Sequence, residues 1–254
     1  ALATQPRNIT LKFMRQKVQP FKLIIFDCDG VLVDSERLTN QVFVDMLAIL
    51  GINITLQDVM DNYVGIPLQD GITMLEERYQ FKLPEDFIVQ FNQQSMSLLE
   101  RDLQPVLGIK EVIAKLQAPC CVASNSHTEK VRAMLKITGL FDRFNGKIFT
   151  ASQVKRPKPA PDVYLYAASA FDMSPADCLV IEDTPIGVSA AIAAGMTVFG
   201  YAAQTSAARL LDAGAHAVFA DMKDLPMLIK QGGNPVNSPN TADSQHQSTS
   251  QLMA

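Results

Sequence analysis

The stretch KLIIFDCDGVLVDSE, residues 22–36, decides the fold of this chain. Its first part, Lys22–Phe26, is a short apolar run of the kind that forms a buried parallel strand. Asp27 and Asp29 follow this run directly, and Gly30 allows the chain to turn away. Two carboxylates at the end of a buried strand repel each other unless a cation or a proton compensates. The stretch therefore predicts a functional site at the carboxyl end of the first strand.

Further apolar runs of similar length recur along the chain, and turn signals bound them. They are Cys120–Ala123, Lys147–Phe149, Cys178–Ile181 and Met196–Phe199, with His216–Phe219 as a candidate sixth strand. Helical patterns lie between most of them, and two of these patterns end at a glycine, Gly139 and Gly195, which is typical of a helix C-terminus. The alternation predicts an α/β protein with a doubly wound, Rossmann-like parallel sheet.

One segment breaks the alternation of strands and helices. Residues 37–104 show one helical pattern after another and no convincing strand. We therefore predict a core formed by residues 21–36 and 105–230, with residues 37–104 inserted as a helical cap. Ligands bind at the carboxyl ends of the strands in open α/β sheets, and the insert leaves the core there, so it is placed to act as a lid.

The two ends of the chain have a different composition from the rest. Residues 231–254 are polar and almost free of large apolar groups, so they cannot bury enough surface to offset the entropy of ordering. The first 20 residues carry four basic side chains and no acidic one. We predict a disordered leader over residues 1–20 and a disordered tail over residues 231–254.

The overall composition is that of a globular protein, with 48% hydrophobic and 19% charged residues. The formal net charge of -4 gives no reason to expect a nucleic acid or an anionic membrane as partner. No apolar run approaches the roughly 20 residues of a transmembrane helix. The four cysteines lie in or beside apolar stretches without metal-binding spacing, which predicts buried, reduced thiols and a cytoplasmic location. No pattern indicates an oligomeric state.

Polar residues follow the second strand and occupy a proline-rich loop. Ser124 and Asn125 end the segment CCVASN, where a hydroxyl and an amide can donate to a phosphate oxygen, although the same residue types are common in turns and helix caps. Lys158 lies between Pro157 and Pro159, and prolines fix the backbone, so its side chain can be aimed at low entropic cost. We therefore expect Lys158 to be a fixed cation of the site.

A second acidic pair, Glu182 and Asp183, follows the fourth strand directly. Together with Asp27 and Asp29 it places four acids at one edge of the sheet, which requires a cation. Hard oxygen ligands favour Mg²⁺. An acidic metal site, a hydroxyl and amide donor pair and one positioned lysine are what phosphoryl transfer requires.

These residues resemble the four motifs of the haloacid dehalogenase superfamily. The matching segments, in chain order, are Asp27-x-Asp29-Gly30, Ser124, Lys158-Pro159-x-Pro161-Asp162 and Glu182-Asp183. The resemblance extends over roughly residues 21 to 225, and the helical insert resembles the C1 cap of the sugar-phosphatase and β-phosphoglucomutase branch. Because Asp29 is present, dehalogenases and phosphonatases, which lack the second aspartate of the first motif, are disfavoured.

The resemblance implies a role for each matching residue. Asp27 is implied to be the nucleophile that forms a phosphoaspartyl intermediate, and Asp29 the general acid and base. Ser124 is implied to anchor the phosphate, and Asn125 is a second phosphate-binding candidate at a position that varies in the family. Lys158 is implied to pair with the nucleophile and to stabilise charge in the transition state.

The metal implied by the resemblance is Mg²⁺. It is expected on Asp27, the main-chain carbonyl of Asp29 and Asp183, with Glu182 either as a further ligand or behind the ligands. The implied activity is Mg²⁺-dependent hydrolysis of a small phosphorylated metabolite, with a sugar or polyol phosphate as the expected substrate.

Three other functions compete with a phosphatase. A phosphomutase of the β-phosphoglucomutase type has the same motifs, but it also carries a histidine and an arginine where this chain has Thr39 and Leu68. A phospho-acceptor signalling domain also uses an aspartate and a lysine, but it is shorter, has no helical insert and lacks an acid placed like Asp29. A catalytically silent binding protein would lack a motif residue, and none is missing here.

Overall fold

The computed structural model describes residues 21–63, 66 and 68–233. The strands within them are β1 (Leu23–Phe26), β2 (Cys120–Ser124), β3 (Ile148–Thr150), β4 (Cys178–Glu182), β5 (Thr197–Tyr201) and β6 (Ala217–Phe219). The α-helices are α1 (Glu36–Ile49), α2 (Leu56–Asn62), α3 (Leu68–Tyr79), α4 (Phe87–Asp102), α5 (Ile109–Lys115), α6 (Thr128–Ile137), α7 (Phe141–Phe144), α8 (Asp162–Ser169), α9 (Pro185–Ala193), α10 (Ala207–Asp212) and α11 (Leu225–Lys230).

All six strands form one parallel sheet in the order β3-β2-β1-β4-β5-β6. Strand β1 is central: Phe26 pairs with Val122 on one side and with Ile181 on the other. The chain winds away from β1 in both directions, so the carboxyl end of β1 is the topological switch point where such sheets bind ligands. The prediction of a doubly wound α/β fold, including the sixth strand, is confirmed.

Both faces of the sheet are covered, which explains why the strands are apolar throughout rather than alternating. Ile24 and Phe26 face a layer that includes Val112 of α5 and Leu135 of α6. Their neighbours along β1 point to the opposite face, where Ile25 packs with residues of α8 and α9. All four cysteines are buried with free thiols, as predicted.

Helices α1 to α4 follow one another between β1 and β2, and we call residues 36–102 the insert. The insert has its own apolar core, in which the ring of Phe43 meets those of Phe87 and Phe91 edge to face. The Thr55 hydroxyl accepts the Asp58 N–H and caps α2. Helix α4 begins at Phe87, and the Pro84 carbonyl accepts the Phe87 N–H in a turn that precedes the helix.

The predicted leader (residues 1–20) and almost all of the predicted tail (residues 231–254) lie outside the described residues. Within the described part of the chain, none of the helices is both long enough and apolar enough to cross a membrane.

Candidate active site

The site begins at Asp27, the first residue after β1. Its N–H donates to the Ile181 carbonyl, which extends the sheet by one residue and fixes the backbone of Asp27 at the sheet edge. The Lys158 ammonium donates to Asp27 Oδ1 at 2.6 Å, to the Ala123 carbonyl at 2.9 Å and to Glu182 Oε1 at 2.8 Å. All three ammonium protons are therefore used, and Lys158, only 3% exposed, cannot rotate without losing them.

Glu182 fixes the position of Lys158. Its Oε1 also accepts the Tyr164 hydroxyl at 2.8 Å, and its Oε2 accepts the N–H of Asp183 and both the N–H and the hydroxyl of Thr184. A side chain at Gly187 would place its Cβ 1.7 Å from Glu182 Oε1, so only glycine fits at this position of α9. The Lys158 ammonium lies 4.7 Å from the centre of the Tyr164 ring, a cation–π contact that further fixes it.

Asp29 is held by partners from two other parts of the chain. Ser35, directly before the insert, donates to Oδ1 at 2.6 Å, and Ser126 donates to Oδ2 at 3.0 Å. Lys130 of α6 lies 3.6 Å from Oδ1. Burial would raise the pKa of Asp29, but the charge of Lys130 and the two serine hydrogen bonds outweigh it, so the pKa is lowered.

Ser124 and Asn125 end β2 beside Asp27. The Ser124 hydroxyl accepts the Ser126 N–H at 3.0 Å and keeps its own proton for another acceptor. Asn125, which we predicted to contact phosphate, makes a different contact with its side chain. Its amide accepts the Lys158 N–H at 2.8 Å and donates to the Lys158 carbonyl at 3.1 Å, so it fixes the loop that carries the lysine.

The acidic residues fit a bound cation. Asp27, Glu182 and Asp183 each place a carboxylate oxygen within 4.8 Å of the others. Asp183 Oδ1 is buried and has no hydrogen-bond partner. Burial raises the pKa of Asp27 to about 7 despite Lys158, and burial together with neighbouring carboxylates raises the pKa of Asp183 well above 3.8. Buried carboxylate oxygens with raised pKa values and an unused lone pair are suited to a hard divalent cation.

The glycine of the first motif makes this arrangement possible. Gly30 has φ +79, and a Cβ on it would lie 2.0 Å from Asp183 Oδ2. The absence of a side chain therefore allows the loop after β1 to pass directly over the Asp183 carboxylate.

The structure adds a fifth acid that the sequence motifs did not indicate. Glu36, in the first turn of α1, lines the same cavity, and burial together with the charges of Asp29, Asp27 and Glu182 raises its pKa to about 8. Its only signal in the sequence is its position in the stretch that follows the first strand. Tyr164, Ser126 and Lys130 were missed for a related reason, since tertiary packing alone brings them to the site.

Asp27, Asp29 and Glu182 line the floor of a cavity of about 1030 Å³ between the core and the insert. We call the insert residues that line this cavity its roof. Most of the roof is apolar, with Phe43, Tyr63 and Phe91 among its side chains, and both Thr39 and Leu68 belong to it. The core and the insert thus enclose a site with an acidic, hydrogen-bonded floor and a largely apolar roof.

Comparisons with known proteins agree with this geometry. The family model described as haloacid dehalogenase-like hydrolase matches residues 24–201. The 6-phosphogluconate phosphatase of Escherichia coli is 26% identical over 211 residues, which cover 83% of this chain and 95% of that protein. Hexitol phosphatase B of Escherichia coli is 27% identical over 176 residues, 68% of this chain and 79% of that one. Among solved structures, a conserved haloacid dehalogenase-like protein of unknown function from Agrobacterium tumefaciens has a TM-score of 0.78 at 35% identity, over 83% of this chain and 98% of that one.

Proposed function

The chain belongs to the haloacid dehalogenase-like hydrolase family and is a phosphoric monoester hydrolase, and we propose that Asp27 is its nucleophile. The observation that carries this proposal is the hydrogen-bonded group of Asp27, Lys158 and Glu182 beside the unpartnered Asp183 oxygen. This arrangement presents one fixed carboxylate oxygen of Asp27 to the cavity. The positive charge of Lys158 limits the repulsion that an incoming phosphate would meet.

The first half of the reaction forms the intermediate. A carboxylate oxygen of Asp27 attacks phosphorus, a bond between them forms, and the bond from phosphorus to the ester oxygen breaks. Asp29 gives a proton to the leaving alkoxide. The Ser124 hydroxyl donates to a phosphate oxygen, while Lys158 stabilises the charge around Asp27.

The second half releases phosphate. Asp29, now ionised, takes a proton from a water molecule, and the water oxygen attacks phosphorus. The bond between phosphorus and Asp27 breaks, which regenerates the carboxylate. The same residue thus serves first as the acid and then as the base.

Asp29 must change partners to do this. Bonded to Ser35 and Ser126 beside Lys130, it has a lowered pKa and is ionised near neutral pH. Release from these partners and burial under a closed insert raise its pKa, which is what a proton donor needs. Because Ser35 lies where the insert begins, movement of the insert would break its bond to Asp29. We therefore propose that residues 37–104 act as a cap that closes on the substrate, and that its closure prepares the acid.

Mg²⁺ fits the acidic floor and would be held by Asp27, Asp183 and the main-chain carbonyl of Asp29. When bound, it would neutralise phosphate oxygens and carboxylates that otherwise repel each other. We assign Glu182 a positioning role, because its two oxygens already accept five hydrogen bonds from Lys158, Tyr164, Asp183 and Thr184.

The proposed substrate is a small phosphorylated sugar or polyol. Two relatives are named for sugar-derived or polyol substrates, as a 6-phosphogluconate phosphatase and a hexitol phosphatase. The test is a screen of phosphorylated metabolites with Mg²⁺ that measures phosphate release. We expect sugar and polyol phosphates among the best substrates and no release in a chelator, and full activity in the chelator would contradict the proposal.

The structure of a β-phosphoglucomutase candidate from Thermotoga maritima, 26% identical to this chain, makes a mutase the alternative to test. A mutase must hold a bisphosphate, and Thr39 and Leu68 of the roof supply no cation for the second phosphate. The assay is β-glucose 1-phosphate with a trace of glucose 1,6-bisphosphate. We expect free phosphate to form faster than glucose 6-phosphate, and the opposite ratio would favour the mutase.

A further inference from the structure

Buried polar atoms without a hydrogen-bond partner gather around this cavity. In the described residues there are four such side-chain atoms, and one of them, Asp183 Oδ1, belongs to the acidic group that Asp183 forms with Asp27 and Glu182. Two others, Asn40 Nδ2 and Ser95 Oγ, belong to residues of the roof. Native proteins leave few buried polar groups unpartnered, so two in the roof of one cavity indicate that a ligand supplies their partners.

We propose that Asn40 and Ser95 form a subsite for the alcohol part of the phosphate ester and bind its hydroxyl groups. This proposal rests on the proposed phosphatase function. We further propose that this alcohol is a neutral polyol or sugar without a second anionic group. The two residues determine specificity and take no part in the transfer of the phosphoryl group.

The position of the pair supports this assignment. The rings of Phe43 and Phe91 join α1 to α4 with their centres 5.6 Å apart. Asn40 precedes Phe43 by three residues, and Ser95 follows Phe91 by four. Helix α1 leaves the core and α4 returns to it. Asn40 and Ser95 therefore each lie about one helical turn nearer the floor than the aromatic residue of the same helix. The pair therefore lies between the aromatic contact and the floor, on the side where the alcohol of a substrate would extend from its phosphate.

The chemistry of the pair selects for hydroxyl groups. The Asn40 amide nitrogen can only donate, whereas the Ser95 hydroxyl can donate and accept, and neither carries a charge. Ser95 is 4% exposed, so little water competes for its hydroxyl. A site that hydrogen-bonds a substrate hydroxyl in this way strongly rejects analogues that lack it.

The charges of the cavity argue against a second anion. Glu36 is the only charged side chain that the described part of the insert contributes to the cavity. On the core side, Lys158 is bonded to Asp27, and Lys130 lies beside Asp29. A carboxylate or second phosphate at the far end of the substrate would face an acid and no available cation in the roof.

The first experiment compares two substrates of the wild-type protein. Glucitol 6-phosphate and gluconate 6-phosphate share a six-carbon chain and differ only at the carbon farthest from the phosphate. That carbon is a hydroxymethyl group in glucitol 6-phosphate and a carboxylate in gluconate 6-phosphate. With Mg²⁺ present, we expect kcat/KM to be at least about 10-fold higher for glucitol 6-phosphate, because a like charge repels the carboxylate. Equal values, or a preference for the gluconate ester, would overturn the neutral-alcohol assignment.

The second experiment tests the two residues. Asn40→Leu and Ser95→Ala should each lower kcat/KM for glucitol 6-phosphate by about 10- to 100-fold. Hydrolysis of 4-nitrophenyl phosphate, which has no hydroxyl to bind, should stay within about 3-fold. Matched controls on exposed positions, Asn53→Leu in the loop before α2 and Ser97→Ala on α4, should leave both substrates unaffected.

Thermal unfolding separates a binding role from a structural one. Each of the two variants removes an unpartnered polar atom, so its melting temperature should not fall. Equal losses on both substrates, or no loss on either, would refute the subsite while leaving the phosphatase intact. If the wild-type protein hydrolysed neither 4-nitrophenyl phosphate nor any sugar or polyol phosphate of the screen, the proposed function itself would fail.

Discussion

Lys158 and Glu182 in the floor of the cavity have partners for all their polar atoms, whereas the roof leaves Asn40 and Ser95 unpartnered. The floor is built from residues that directly follow buried strands, so the rigid sheet sets its geometry. The roof comes from an insert with a separate apolar core. The difference supports our proposals that the floor is arranged for chemistry before a substrate arrives, and that the substrate's alcohol supplies the missing hydrogen bonds of the roof.

The largest expected effect comes from the floor. Asp27→Asn should lower kcat by at least about 10⁴-fold, because it removes the proposed nucleophile. Asp34→Asn is the matched control, since Asp34 belongs to the same stretch but is exposed and bonded to Gln204. Phosphate release with both variants measures the contrast. Near-wild-type turnover by Asp27→Asn would remove the basis for the proposed mechanism.

Metal binding distinguishes two acids within the floor. Asp183→Asn should weaken Mg²⁺ binding by more than about 100-fold, because Asp183 is a proposed ligand. Glu182→Gln, at the proposed positioning residue, should weaken it by about 10-fold. Glu182→Gln should instead lower kcat at saturating Mg²⁺, because Lys158 loses a fixed partner. Titration calorimetry and steady-state kinetics give the two quantities. A larger loss of Mg²⁺ affinity in Glu182→Gln would identify Glu182 as a direct ligand.

The raised pKa values of the floor predict how stability depends on pH. Asp27, with its pKa raised from 3.8 to about 7, holds its proton more tightly in the folded than in the unfolded state. Its contribution is therefore present at low pH and is lost as pH rises toward and through 7. Added Mg²⁺ replaces the proton, so it should raise the melting temperature more at pH 8 than at pH 5.5, by about 3 °C or more. An equal rise at both pH values would show that no proton is displaced.

The smallest expected effect is a change of specificity in the roof. Leu68→Lys places a cation where this chain has none and should raise kcat/KM for gluconate 6-phosphate, relative to glucitol 6-phosphate, by about 10-fold. The rate with 4-nitrophenyl phosphate should change by less than about 3-fold. Ile49→Lys, at a position that is 83% exposed, controls for the added charge. An unchanged ratio would show that the roof does not sense charge on the substrate.

Much of the fold follows from local sequence patterns. Buried parallel strands are recognisable as short apolar runs, and all six lie where such runs occur. The exact start of α4 is harder to predict, because a proline such as Pro84 can open either a turn or a helix, and here it lies in the turn before Phe87.

The residues of the site likewise fall into those that sequence motifs predict and those that only the folded structure reveals. Asp27, Asp29, Ser124, Lys158, Glu182 and Asp183 all meet at the edge of the sheet, because each follows a strand or lies in the loop beside one. The contacts of Tyr164, Lys130 and Glu36 depend on how helices pack onto that edge, which no short motif encodes. The unpartnered atoms of Asn40 and Ser95 are properties of the folded insert alone.

The most direct test of the central claim is to trap the phosphorylated enzyme. Asp29→Ala removes the proposed base, so the intermediate should accumulate with 4-nitrophenyl phosphate, whose leaving group departs without a proton. Rapid acid quenching, trypsin digestion and mass spectrometry of the peptide Leu23–Arg37 then locate the label. The account predicts an added phosphoryl group of about 80 Da on Asp27 that hydroxylamine removes, as expected for an acyl phosphate. Release of nitrophenol with no phosphorylated peptide, or with the label on another residue, would contradict it.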